Sequence, residues 1–141
     1  MKQNVILSIL GRQTYLGQEP DQIELVTEGV LEDRGNAWYL IYEESDLTGM
    51  GGVTTTFIVE PDKITLKRTG KLNSQMVFQE GVAHESLYQM EFGALMMSVR
   101  ASRVMADICF DGGYIDLVYN IELEQSEAGT IDYHLDIRPK E

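Results

Sequence analysis

One cysteine, two histidines and a shortage of basic residues are the conspicuous gaps in this chain of 141 residues, and each excludes something. Cys109 stands alone, so there is no intramolecular disulfide and no multi-cysteine metal centre. A zinc site needs three or four ligands. His84 and His134 are isolated, and Cys109 falls on an outward position, so no metal is expected. Eleven basic residues against 23 acidic ones give a formal charge of −12. Such a surface repels phosphate backbones and anionic lipid headgroups. The densest basic run, Lys63, Lys67, Arg68 and Lys71, is split between two faces by strand alternation. Neither nucleic acid nor membrane is an expected partner.

Long apolar runs are also missing. Nothing approaches the roughly 20 residues that span a bilayer as a helix. The opening segment from Met1 to Leu10 is interrupted by Ser8, runs into Gly11-Arg12-Gln13 and has no small-residue cleavage site. The expected compartment is the cytoplasm. No Pro-, Ser- or Gly-rich linker and no internal repeat divides the sequence, so residues 1–141 are read as one domain.

What is present is a period of two. At 43% hydrophobic the chain can bury a core without a metal or a disulfide. Its apolar residues alternate with polar ones between turn signals, the pattern of an all-β domain. Three hairpins can be written in register. The first turns at Asp33-Arg34-Gly35-Asn36, pairing Leu31 with Trp38, Gly29 with Leu40 and Thr27 with Tyr42. The second turns at Pro61-Asp62, pairing Val59 with Ile64, Phe57 with Leu66 and Thr55 with Arg68. The third turns at Asp111-Gly112, pairing Ile108 with Ile115, Ala106 with Leu117 and Val104 with Tyr119. Val5, Leu7 and Ile9 near the start and Ile131, Tyr133, Leu135 and Ile137 near the end alternate likewise, with Asp132, His134 and Asp136 on the opposite face. Ala83 to Gly93 is ambiguous, either a helical turn packing over a barrel mouth or a loop, and the loop is favoured. About eight to ten strands joined hairpin to hairpin favour a single antiparallel up-and-down β-barrel, because closure removes the unpaired edges of so large a sheet.

Three stretches carry a resemblance. They are Tyr42-Glu43-Glu44-Ser45 with Gly49-Met50-Gly51-Gly52 and Thr54-Thr55-Thr56; Arg68-Thr69-Gly70 with Met76-Val77-Phe78-Gln79-Glu80-Gly81; and Gly112-Gly113-Tyr114-Ile115-Asp116-Leu117-Val118-Tyr119. In this order they resemble the YwiB-like family of small bacterial proteins, a domain of unknown function. The resemblance implies a calycin-like (lipocalin-like) barrel and supplies no catalytic or binding residues.

The hairpin registers supply a candidate site. The inward face of the first hairpin continues from Tyr42 to Glu44, and the second places Thr55 and Arg68 inward as partners. If the hairpins are neighbours, Glu44, Thr55 and Arg68 form a polar row, with Thr27 and Tyr42 close by. A buried charge must be paired, hydrated or bound to a ligand. A structural ion pair at a solvated rim is the plainer reading and is favoured, since such pairs are common near strand ends. The sharper one has the guanidinium gripping the carboxylate or phosphate of a small amphipathic ligand.

Other features carry less. Gly49-Met50-Gly51-Gly52 lacks the phosphate-loop spacings and reads as a connecting loop. His84, beside Glu85 and Ser86, reads as a solvated loop residue rather than part of a catalytic group. Asp107 and Asp116, opposite one another in the third hairpin, read as solvated carboxylates or as a sign of another register. Met90, Met96, Met97 and Met105, with Tyr88 and Phe92, read mostly as core, although an outward Met105–Val118 pair hints at a homodimer. No acid, base and nucleophile can be brought together, so the reading leans away from an enzyme, and no cofactor is implied. Two functions are carried forward: a barrel binding a small amphipathic or anionic molecule inside, or a filled barrel acting as a protein-interaction or structural module, with an apolar surface around Tyr39, Ile41, Met105 and Val118.

Overall fold

The structure, a computed structural model, describes residues 2–14, 19, 21–44, 51–90, 93–123 and 126–140, with backbone alone at 87–90, 95, 123 and 126–128. Among the described residues there are ten strands: β1 (Lys2–Thr14), β2 (Asp21–Asp33), β3 (Trp38–Glu43), β4 (Val53–Val59), β5 (Ile64–Gly70), β6 (Ser74–Phe78), β7 (Ala83–Met90), β8 (Gly93–Cys109), β9 (Gly112–Leu123) and β10 (Ser126–Pro139). They form one antiparallel sheet in the order β6-β5-β4-β3-β2-β1-β10-β9-β8-β7. Each strand lies beside its sequence neighbour, and β1 pairs with β10. This is the expected up-and-down barrel, nearly closed.

The inward face is the apolar one. Leu7, Leu31, Leu40, Phe57, Phe78, Ile115 and Leu135 have no solvent exposure. Each such side chain contributes roughly 1.5–3 kcal/mol by leaving water. One end is plugged where the rings of Trp38 and Phe110 meet edge to face at 5.1 Å. The Phe110 carbonyl accepts a hydrogen bond from Gln3 Nε2 at 2.8 Å.

Closure of the sheet involves a bulge. The pairing of β8 with β9 slips by one residue between Ala101 and Arg103. Upstream of the slip the odd residues Met97, Val99 and Ala101 are buried. Downstream the even ones, Val104 and Ala106, pair with buried Leu117 and Ile115. The tight turn between β6 and β7 docks on this kink. Gly81 N–H donates to Ala101 O at 3.0 Å, and Glu80 Oε1 accepts from Val104 N–H at 2.9 Å. Gly81 has φ 76°, a conformation that excludes most other residues.

The second hairpin has the expected register throughout. The other two are shifted by two residues. Leu31 pairs with Leu40 and Asp33 with Trp38, so Tyr42 is not opposite Thr27, which pairs with Leu7 instead. The cause is local: Asp33 Oδ1 accepts from Gly35 N–H at 2.8 Å and Arg34 N–H donates to Ala37 O at 3.0 Å, moving the loop one residue on. Arg34 then reaches Glu32 at 3.1 Å and covers the Tyr39 ring, which locks Glu32 opposite Tyr39. In the third hairpin Cys109 pairs with Gly112, which frees Phe110 from the ladder to pack on Trp38. A shift of two leaves every side chain on its predicted face.

The shift does change partners. Asp116 lies opposite Met105 and forms an ion pair with Arg103 at 3.1 Å, so it does not face Asp107. Val118 lies opposite Arg103, so the expected Met105–Val118 pair does not form. Ala83 to Met90 is a strand, not a loop, held to β8 by a continuous ladder. Its weak period reflects an end-of-sheet position, where the ladder rather than burial dictates conformation. Gly49, Met50, Phe92 and the side chains of Tyr88 and Met90 lie outside the described residues.

β2 parts from β3 near Gly29. A Cβ there would sit 2.8 Å from the Ile41 carbonyl oxygen and 3.1 Å from a Leu7 methyl. Gly29→Ala is therefore expected to lower the midpoint of urea unfolding without altering its slope, a loss of about 1–3 kcal/mol. A variant as stable as the parent would contradict this packing.

Candidate functional site

Four inward residues form one rung across β3 to β6. Tyr42 pairs with Thr55, Thr55 with Arg68, and Arg68 with Ser74. Glu44 follows two residues after Tyr42, where its N–H donates to Val53 O at 2.9 Å, so it stands diagonal to Thr55. Thr55 Oγ1 donates to Glu44 Oε2 at 2.5 Å, and both residues are buried. The hydroxyl, wholly withdrawn from water, aims the carboxylate.

Tyr133 of β10 completes the group from across the barrel. Its hydroxyl oxygen lies 3.4 Å from that of Tyr42, and its ring packs at 5.7 Å on Phe57. Burial pushes the Tyr42 hydroxyl up to about 12, and the negative charge of Glu44 adds to the effect. Burial, and then Tyr42, hold Tyr133 well above the ordinary tyrosine range. Arg68 pulls both the other way without prevailing. Both tyrosines are thus neutral hydroxyls at physiological pH, able to donate hydrogen bonds.

Tyr42, Glu44, Arg68 and Tyr133 border a cavity of about 410 Å³. Its polar lining includes Tyr42, Glu44, Arg68, Tyr119, Tyr133 and Gln13. Much of the remainder is apolar, including Ile9, Leu25, Phe57, Leu66, Met76, Leu117 and Ile131. That size and mixture match a small-molecule site. Arg68 Nε is buried and has no hydrogen-bond partner. Thr55 stands behind Glu44, and among the described residues Thr27 is not part of the cavity wall.

Sequence reasoning brought Tyr42, Glu44, Thr55 and Arg68 together and missed two members. Tyr133 was visible as an inward residue, but its closeness to Tyr42 needs the barrel to close. Ser74 was legible in principle, since the second hairpin's register, extended by one more strand, places it beside Arg68.

A larger groove, about 680 Å³, lies at the opposite end between the hairpin turns, walled by Asp33, Glu60, Asp62, Glu80, Asp107 and Lys63 among others. Among the described residues it has no buried orphan group, which favours the interior cavity. His84 is half-buried on β7, not a solvated loop residue, and its Nε2 lies 3.2 Å from Gln79 Oε1. His134 is on the outer face, 3.1 Å from Asp136, and stacks on Tyr114. Among the described residues, no three His, Cys, Asp or Glu side chains are placed to hold a metal.

The tyrosines set an alkaline limit. An unfolded tyrosine loses its proton near pH 10, whereas folded Tyr42 keeps it to about 12. Stability is undiminished below pH 10 and falls as pH rises toward 12, by about 2–3 kcal/mol for this residue. Urea unfolding at about pH 9 and about pH 12 should show Tyr42→Phe losing less stability over that interval than the parent. Equal losses would mean that Tyr42 titrates normally.

No helix among the described residues is long and apolar enough to cross a membrane. No curated protein matches the chain. The crystal structure of the ywiB protein from Bacillus subtilis superposes with a TM-score of 0.87 at 22% identity, covering 99% of this chain and 94% of that one. At that identity the likeness speaks for the fold alone, and it agrees with the barrel. A family model described as a domain of unknown function, DUF1934, matches residues 7–137, and the chain therefore belongs to the DUF1934 family.

Proposed function

We propose that this protein binds one small amphipathic molecule inside the barrel, with an anionic end held at Arg68 and an apolar body against the opposite wall. The observation that carries the reading is the guanidinium itself. Arg68 borders a mostly apolar cavity, and its Nε has neither a hydrogen-bond partner nor access to water. A buried charged donor left without a partner costs several kcal/mol or more. A ligand carboxylate or phosphate would offset that cost with a charge-assisted hydrogen bond. Glu44, fixed by Thr55, and the two tyrosine hydroxyls would orient the same polar end.

This is a binding role rather than a catalytic one. The hydroxyl that does meet a carboxylate, Thr55 on Glu44, is wholly buried and does not border the cavity, so it is not presented to a substrate. The open cavity also favours this reading over a filled barrel acting through its surface. Among the expected surface residues, Met105 is 42% exposed, but it sits opposite Asp116 rather than in an apolar patch. The charge of −12 argues against polyanionic partners.

Native mass spectrometry of the protein purified from its own host tests the proposal. A stoichiometric small molecule that is lost in Arg68→Ala is the expected result. A bare polypeptide mass for the parent, with no small molecule released on denaturation, would count against it.

A further inference from the structure

β2 lies within the sheet, yet most of it has a neighbour on one side only. Its length is laddered to β1, which is backed in turn by β10. The ladder to β3 runs only from Asp33 to Val30, and among the described residues no strand pairs with residues 21–29 on that side. Charge accounts for the parting. Continued past Gly29, the register would set Glu28 opposite Glu43 and Thr27 opposite the buried Glu44. Like charges directly across a ladder are destabilising. The outcome is a stretch of strand held firmly from behind, with unpaired N–H and C=O groups along its other edge.

The side chains of this stretch are open as well. On the outer face Val26 is 65% exposed and stands between Glu24 and Glu28. On the inner face Ile23 and Leu25 border the mouth of the interior cavity. A free edge is a template for one more strand. We propose that residues 21–29 dock an extended peptide of another protein by strand addition, and that the peptide alternates aliphatic with basic side chains.

The alternation follows from what each face would meet. Inward side chains of an added strand would lie beside Ile23 and Leu25, which favours aliphatic ones. Outward side chains would lie beside Glu24 and Glu28, with Glu43 across the gap. Glu28 already takes a lysine in the open, Lys140 Nζ at 3.0 Å. Among the described residues Glu24 is met only by the Gln22 amide, at 3.1 Å. A second copy of the chain fits badly. Antiparallel pairing of two β2 edges about Val26 would set Glu24 of each opposite Glu28 of the other, between chains that each carry a charge of −12. The carboxylates that repel a copy select a basic strand. This edge does not include Arg68 and does not rest on the small-molecule reading.

Fluorescence anisotropy of the full-length protein with a short labelled peptide alternating lysine with valine, read together with amide hydrogen exchange, provides the test. The peptide is expected to bind at least about tenfold tighter than its glutamate–valine counterpart. Methylating alternate backbone nitrogens of the peptide keeps every charge and removes ladder donors, and should cost about tenfold. Binding should slow exchange within residues 21–29. The double variant Glu24→Lys, Glu28→Lys, at exposed positions, should reverse the preference between the two peptides, with circular dichroism establishing that it is folded. Unchanged affinity of the methylated peptide would overturn strand addition in favour of plain charge attraction. Protection confined to another part of the barrel, or no binding of the lysine–valine peptide, would overturn the docking edge outright. None of these outcomes bears on what Arg68 holds in the cavity.

Discussion

A sheet of ten antiparallel strands has two free edges, and everything inside this barrel depends on how β6 and β7 are brought together. The two strands share little ladder beyond the bridge from Gln79 to Val82. Their connecting turn instead docks on β8 where Ser102 is the extra residue. The bulge turns the Val104 N–H toward Glu80, and Gly81 supplies the hydrogen bond to Ala101. The same bulge resets the alternation of β8. Without it, either Met97, Val99 and Ala101 or Val104 and Ile108 would turn away from the core.

Joining the edges at one turn leaves the two ends of the barrel unlike each other. Near the turn, Phe78 packs on Tyr119 and the plug of Trp38 and Phe110 fills the interior. Away from it a cavity remains, bordered by Tyr42, Glu44, Arg68 and Tyr133. The polar residues cluster there because an apolar core would be stable at the packed end, whereas a guanidinium is tolerated only beside space for a partner. Glu44 is held by Thr55 and presses its charge on Tyr42.

The sequence exposed some of this and hid the rest for identifiable reasons. Pro61 and Asp62 between two clean alternations gave the second hairpin its register, because Pro favours one turn position and the loop is short. Asp33 to Asn36 and Asp111-Gly112 located their turns to within one residue and left the registers two residues off. In each case a side chain decided: Arg34 bound Glu32 and Tyr39, and Phe110 left its strand for Trp38. Neither contact has a local signature. The change of phase between Val99 and Val104 was present in the sequence and signals a bulge, whereas Ala83 to Met90 shows no period, because a ladder on one side is enough to hold it.

Side-chain period is a local property of the chain, and so the sequence by itself determined the all-β class, the inward face of most strands, and the inward placement of Tyr42, Glu44, Thr55 and Arg68. Closure is not local. The tertiary structure alone decided that Tyr133 meets Tyr42 across the barrel and that Thr27 stands apart. Position around a barrel depends on the bulge in β8, on the tight turn at Glu80 and Gly81, and on the sum of every register between them. An error of two residues preserves a face and still changes every neighbour.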